Sequence, residues 1–129
     1  MTKAQHKELD GLWKKRIKER DKVCQRPGCP YCFNAEGVKY LTPHHIVPRT
    51  CHPLKYDLEN GVLLCRGSHG MWAHCEDPFI RRDVDDFYKQ FANLDYLNIA
   101  RHRQSKNDYM AIKLYLCLGS FPSWLDTSL

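Results

Sequence analysis

The apolar residues near the N-terminus recur at helical spacing among basic ones. Leu9, Leu12, Trp13 and Ile17 would share one side of a helix, with lysines and arginines around them. The pattern predicts an amphipathic basic helix over residues 1–22. Its apolar side would pack on a core, while its charged side is either solvated or lies along phosphates. The candidates for phosphate contact are Lys14, Lys15, Arg16 and Lys18.

Two short extended segments follow in the middle of the chain. Residues 38–41 predict a strand that leads into His44, and prolines on both sides of that histidine limit it to a short or edge strand. The dipeptide Asn60-Gly61 predicts a hairpin-like turn, and the apolar residues 62–64 predict the second strand.

The remainder of the chain has a helical pattern. A helix begins near Ser68, Pro78 breaks it or turns the chain, and Asp83 is expected to cap an amphipathic helix over residues 84–91. The helical pattern continues over residues 94–103. A last helix is predicted to start at Asn107 or Asp108 and to stop at Gly119. No repeat, low-complexity tract or linker interrupts the 129 residues, which predicts one domain: a basic helix (1–22), a core (23–78) and a helical part (79–129).

Charge and cysteine content narrow the class of protein. The net charge is 20 − 15 = +5 with seven further histidines, which favours a polyanionic partner, although a merely soluble basic protein has the same balance. Seven cysteines behind a polar N-terminus argue against a secreted disulfide framework and favour a metal site in a reducing cytoplasm. The longest apolar stretch, residues 110–118, is interrupted by Lys113, so a membrane span is excluded.

Closely spaced cysteines follow the basic helix. Cys24, Cys29 and Cys32 have the spacing Cys-x4-Cys-x2-Cys, with Pro and Gly forcing turns between the thiols. Such a knuckle can converge on a tetrahedral zinc if a distant ligand closes the site, and Cys65 is the obvious closing ligand. The alternative is a set of buried thiols without metal.

Histidines and one asparagine form the second cluster of chemically capable residues. His44 and His45 are adjacent, Asn60 follows, and His69 and His74 come last. Neighbouring residues on a strand point to opposite faces, so one histidine can hold a metal while the other accepts a proton. The segments HHIVP and LENGVLLC, followed by a histidine-bearing segment, resemble the HNH endonucleases, the ββα-metal nucleases.

The resemblance implies a fold and a role for each residue. The fold is α+β, with a two-stranded hairpin and a helix as the ββα-metal core, a zinc knuckle, and surrounding N- and C-terminal helices. His44 would be a metal ligand, His45 the general base, and Asn60 would orient the His45 ring through a hydrogen bond. His69 and His74 would complete the metal site. A histidine at position 44 favours Zn²⁺, Ni²⁺ or Mn²⁺, although Mg²⁺ is often the working ion.

The sequence departs from the family pattern at two points. The late histidines are five residues apart instead of four, unless the helix contains an extra residue such as a π-bulge. His69 is the preferred ligand of the two. Ser68 stands where zinc-stapled members have a second cysteine, so either the third knuckle thiol has replaced that ligand or His69 has moved to the zinc, leaving His74 as the late ligand.

The expected function is metal-dependent hydrolysis of DNA phosphodiester bonds. DNA would be held mainly through its backbone phosphates by a monomer or weak dimer. The resemblance also suggests a phage-type protein acting in the host cytoplasm. Two alternatives stay open: a non-catalytic zinc-stapled nucleic-acid-binding module, and a structural protein whose histidines and cysteines serve folding only.

Overall fold

The structure, a computed structural model, describes residues 1–32, 40–102 and 108–118. Five α-helices and two strands make up this part of the chain: α1 (Lys3–Asp21), β1 (Leu41–His45), β2 (Gly61–Cys65), α2 (Arg66–Ser68), α3 (Pro78–Phe91), α4 (Leu94–Ala100) and α5 (Tyr109–Leu118). The single turn α2 continues directly into a π-helical turn, π1 (His69–Ala73). The α+β fold class with a hairpin followed by a helix is therefore confirmed. The predictions for Val38, Asn107 and Gly119 lie outside the described residues.

Helix α1 forms where the apolar spacing predicts it. Thr2 and Gln5 form a capping box, in which each side chain accepts a hydrogen bond from the other residue's backbone N–H at 3.0–3.1 Å. Leu9, Trp13 and Ile17 are buried along one side. At its end, Asp21 Oδ2 accepts a hydrogen bond from the Leu63 amide at 2.9 Å, which ties α1 to β2.

The strands β1 and β2 form an antiparallel pair in which His45 lies opposite Gly61 and Leu41 opposite Cys65. The predicted Asn60-Gly61 turn is wrong. Gly61 is extended, with φ −124° and ψ 145°, and begins β2, while the connection spans residues 46–60 and contains two short 3₁₀ turns. Position 61 requires glycine because there is no room for a side chain, not because of a turn conformation. An added Cβ would overlap Ile17 and lie 2.7 Å from Trp13.

The sheet is packed on both faces, and β2 is buried throughout. Leu63 joins the residues of α1 and α5 in one apolar cluster, whereas Val62 and Leu64 join Trp72 and residues of α3 in another. This alternation follows from the two-residue period of a strand. The hairpin is consequently held between the N-terminal helix and α5 on one side and π1 with α3 on the other.

Helix α3 begins earlier than predicted. Asp77 caps it by accepting hydrogen bonds from two amides of the first turn, and Pro78 occupies the first helical position, where its missing N–H has no cost. Asp83 lies inside the helix and accepts a hydrogen bond from Trp72 Nε1 at 2.9 Å. The prediction of an Asp83 cap is therefore wrong. No helix among the described residues combines the length and apolar character needed to cross a bilayer. The assignment of residues 1–129 to one domain stays a prediction.

Candidate active site and zinc cluster

The late histidines meet because the backbone between them is π-helical. Residues 69–73 form π1, and His74 follows directly. A π turn is wider than an α turn by one residue, so it accommodates a spacing of five where an α-helix favours four. The Nε2 atoms of His69 and His74 lie 3.1 Å apart. The sequence therefore departs from the family spacing without separating the two rings.

His44 completes a three-histidine group at the end of β1. Its ring centroid lies 5.0 Å from that of His69 and 4.9 Å from that of His74, and ligand nitrogens of all three lie within 4.8 Å of one another. His44 is buried, His69 is half-buried and His74 is exposed. Three imidazoles that converge, with one side open to solvent, could hold a divalent metal and leave positions for a substrate.

The environment of His44 keeps its ring neutral. Burial, followed by the nearby His69 and His74, lowers the pKa of His44 to about 3. A neutral imidazole retains the lone pair that a metal ligand needs. Its Nε2 is hydrogen-bonded to the hydroxyl of Tyr88 at 2.8 Å, and burial raises the pKa of Tyr88 to about 12. The partner of His44 is therefore a neutral phenol.

His45 is held in one orientation by two contacts. Its Nε2 lies 2.9 Å from the carbonyl oxygen of Lys55, and because a carbonyl only accepts hydrogen bonds, Nε2 carries the proton. Its ring is stacked on Trp13, with centroids 4.0 Å apart and planes 4° from parallel. Burial lowers the pKa of His45 against the opposing effects of the Lys55 carbonyl and Asp10. The neutral ring thus has its lone pair on Nδ1, as a proton acceptor requires.

Asn60 acts on His45 indirectly. The expected hydrogen bond to the His45 ring is not made, because the fully buried Asn60 amide is engaged elsewhere. Its Oδ1 accepts from the Val47 amide at 2.7 Å, and its Nδ2 donates to the carbonyls of Val47 at 2.9 Å and Leu54 at 3.2 Å. Asn60 therefore closes the connection between the strands, and this connection presents the Lys55 carbonyl to the histidine.

The structure brings together the four predicted cysteines. The sulfurs of Cys24, Cys29, Cys32 and Cys65 lie within 4.8 Å of one another. Four thiols are a donor set that suits tetrahedral zinc, so this cluster could hold a zinc ion. His69 groups with the other histidines and not with these thiols. Cys32, rather than Ser68 or His69, is therefore the fourth member of the cluster.

Ser68 has a different role from the cysteine it replaces. It is fully buried, and its hydroxyl lies 2.9 Å from Cys29 Sγ. Burial raises the pKa of Cys29, but hydrogen bonds from Ser68, the Tyr31 amide and neighbouring thiols outweigh it and lower the pKa to about 6. A thiol with a lowered pKa deprotonates readily to the thiolate, and the thiolate is the form that binds zinc.

The basic residues of α1 that were predicted to contact DNA differ in their exposure to solvent. Lys14, Lys15 and Lys18 are exposed. Arg16 is less exposed than the lysines, and its guanidinium donates to the Leu116 carbonyl at 2.6 Å and to the Cys117 carbonyl, and pairs with Glu19. It satisfies carbonyls at the C-terminal end of α5 and so joins the two helices. Its role as a DNA-binding residue stays a prediction.

Two aromatic residues that contact the histidines were not predicted as part of the site. Helical periodicity marked Trp13 and Tyr88 only as core residues. Their contacts with His45 and His44 join residues 32 and 44 positions apart, and no local spacing signals such contacts.

Comparison with known proteins supports the family resemblance over part of the chain. A family model described as HNH endonuclease matches residues 29–71, about a third of the sequence. The matched segment contains both adjacent histidines, Asn60 and His69, whereas His74 and the helices α1 and α3–α5 lie outside it. No curated protein and no solved structure showed significant similarity to the chain.

Proposed function

We propose, from the HNH endonuclease match of residues 29–71, that this protein is a metal-dependent endonuclease that hydrolyses DNA phosphodiester bonds. The observation that carries the proposal is the position of His45. It follows His44 on β1, has its Nε2 proton bonded to a backbone carbonyl and is stacked on Trp13. A residue needed only for folding would not require an imidazole whose neutral ring has its lone pair on Nδ1, next in sequence to a member of the three-histidine group.

The three-histidine group is the proposed catalytic metal site. His44, His69 and His74 would hold one divalent ion, with Zn²⁺, Ni²⁺, Mn²⁺ and Mg²⁺ as candidates. A bound divalent ion supplies charge neutralisation at phosphoryl oxygens and at a leaving oxygen. The exposure of His74 leaves this side of the site open to a bulky substrate.

His45 is the proposed general base. Its Nδ1 would take a proton from water while the water oxygen bonds to phosphorus. The bond from phosphorus to the 3′-oxygen then breaks, the leaving oxygen takes up a proton from solvent water, and His45 returns its proton to solvent. The products are a 5′-phosphate and a 3′-hydroxyl. The Lys55 carbonyl and Trp13 keep the ring in the orientation that this transfer needs.

Lysines on α1 are the proposed contacts to the DNA backbone. Asp10 interacts electrostatically with His45, and Lys14 and Lys18 follow it at successive intervals of four residues. Each step of four residues turns about 40° around a helix, so Lys14 lies about 40° and Lys18 about 80° around α1 from Asp10. Lys15 lies about 140° from Asp10, so Lys14 is the nearest of the three lysines to the side of α1 that carries Asp10. Such contacts give mostly electrostatic, weakly sequence-specific binding.

The four thiols are the proposed site of a structural zinc. Their cluster joins the knuckle before β1 to the end of β2 and α2, and so fixes the segment that leads into His69. Reduced thiols persist in the cytoplasm, which is the proposed location. A non-catalytic nucleic-acid-binding module is the competing function, since the thiols and lysines alone would serve it.

Substitution of His45 separates the two functions. His45→Ala should reduce nicking of plasmid DNA by about 10²- to 10⁴-fold, because proton transfer in the transition state is lost. Folding, DNA affinity and metal content should remain near those of the wild type. His52→Ala, at an exposed histidine in the same connection, is the matched control and should cut normally. Near wild-type nicking by His45→Ala would reject the proposed base, and no nicking by the wild type with any of the four ions would favour the binding module.

A further inference from the structure

Helix α3, which lies beyond the matched segment, contacts the histidine group at two points. Tyr88 is buried, with 6% of its surface exposed, and its hydroxyl lies 2.8 Å from His44 Nε2. About two helical turns earlier, Arg81 Nη1 donates to the Ala73 carbonyl at 2.5 Å, at the end of π1. The same helix therefore contacts the side chain of the first histidine and the backbone that connects the other two to the fold.

We propose that Tyr88 is a positioning residue for His44, with its hydroxyl oxygen accepting the Nε2 proton of that ring. This inference rests on the proposed metal site. A histidine that binds a metal commonly donates its other ring N–H to a partner that fixes both tautomer and ring orientation. Tyr88 supplies that partner: the hydroxyl is buried, the two rings are 21° from parallel, and the phenol oxygen has lone pairs to accept the proton.

The proposed metal site fixes the direction of this hydrogen bond. Nε2 of His44 is engaged with the Tyr88 hydroxyl, so Nδ1 is the ring nitrogen left for a metal. A neutral imidazole carries one proton, and a metal-binding Nδ1 must have its lone pair free, so that proton is on Nε2. The Tyr88 oxygen therefore accepts it.

Metal binding to Tyr88→Phe tests the proposal without requiring catalysis. The variant keeps the ring that packs in the core and removes only the hydroxyl. Calorimetric titration with Ni²⁺ should show affinity at the histidine site reduced by about 10- to 100-fold, the usual effect of losing such a partner. The melting temperature and the content of tightly bound zinc should stay near those of the wild type. Tyr109→Phe is the matched control, because it also removes a phenol hydroxyl, which is hydrogen-bonded to Glu8 and Lys113 on the opposite side of the sheet.

Three outcomes would overturn the proposal. Equal Ni²⁺ affinity for wild type and Tyr88→Phe, with His44→Ala much weaker, would show that the metal site exists and that Tyr88 does not support it. Equal affinity for wild type and His44→Ala would reject the metal site itself. A phenolate-to-metal absorption band in Cu²⁺-loaded wild type, absent from Tyr88→Phe, would make Tyr88 a ligand instead. Imidazole ¹⁵N shifts of wild-type His44 provide a check without mutation and should show Nε2 protonated.

Discussion

Replacing Gly61 by alanine tests how α1 is seated on the hairpin. Gly61 lies opposite His45 in the sheet, and its backbone is extended, so alanine meets no conformational obstacle there. The added Cβ would overlap Ile17 Cδ1 and lie 2.7 Å from Trp13 Cζ2. Ile17 can yield in part by rotating its terminal methyl group, although its Cγ1 would still lie 2.9 Å from the new Cβ. Trp13 cannot yield as easily, because its Nε1 donates to the Asp57 carbonyl at 3.0 Å and its ring is stacked on His45.

The expected loss of stability follows from two opposing effects. Overpacking a buried contact costs about 1–3 kcal/mol in the free energy of unfolding. Alanine also lowers the conformational entropy of the unfolded chain, which raises the free energy of unfolding by roughly 0.4–1 kcal/mol. Gly61→Ala should therefore destabilise by about 1–2 kcal/mol, or lower the melting temperature by roughly 4–8 °C for a chain of this size. Plasmid nicking should fall as well, because displacement of Trp13 disturbs the ring of the proposed base.

Denaturant unfolding and a double-mutant cycle measure this effect. Ile17→Val removes the Cδ1 atom that overlaps the new Cβ, so the double variant should be more stable than the sum of the single effects by about 0.5–1 kcal/mol. Gly11→Ala is the control, because that glycine lies in α1 with open space around it, and it should gain roughly 0.5–1 kcal/mol. If Gly61→Ala leaves the free energy of unfolding unchanged, and its effect simply adds to that of Ile17→Val, the close packing of α1 on β2 is refuted.

Two further predictions concern zinc and DNA. Cys29→Ser should lose tightly bound zinc and much of its stability, since structural zinc contributes folding free energy directly; native mass spectrometry and melting check this, with the exposed Cys117→Ser as control. Unchanged melting together with no metal in the wild type would rule out the zinc. Neutralising Lys14 and Lys18 together should reduce the slope of log affinity against log salt concentration by up to about 2 for duplex DNA. The slope is measured in the His45→Ala background, which should bind DNA without cutting it. Neutralising Lys15 alone should change the slope less. Equal slopes would show that these lysines are only solvated.

Local sequence patterns selected the members of both candidate metal-binding groups. The spacing of the thiols, and for the histidines the resemblance to the HNH endonucleases, selected two groups of potential metal ligands, and the structure brings each group together. This worked because metal ligands are a few residue types at short, recurring separations. Apolar spacing likewise predicted α1 and its buried residues, since a regular helix repeats every 3.6 residues.

Only the tertiary structure decided what holds these residues in place. Asn60-Gly61 has the composition of a turn, yet Asn60 closes a long connection and Gly61 makes room for Trp13. Helical periodicity predicts that Phe87 and Tyr88 both face the core, and both are buried. It does not predict that the Tyr88 hydroxyl hydrogen-bonds to His44. Periodicity reports that a side chain faces the core, whereas its partner depends on how elements far apart in the chain pack together, and a local pattern contains no information on that packing.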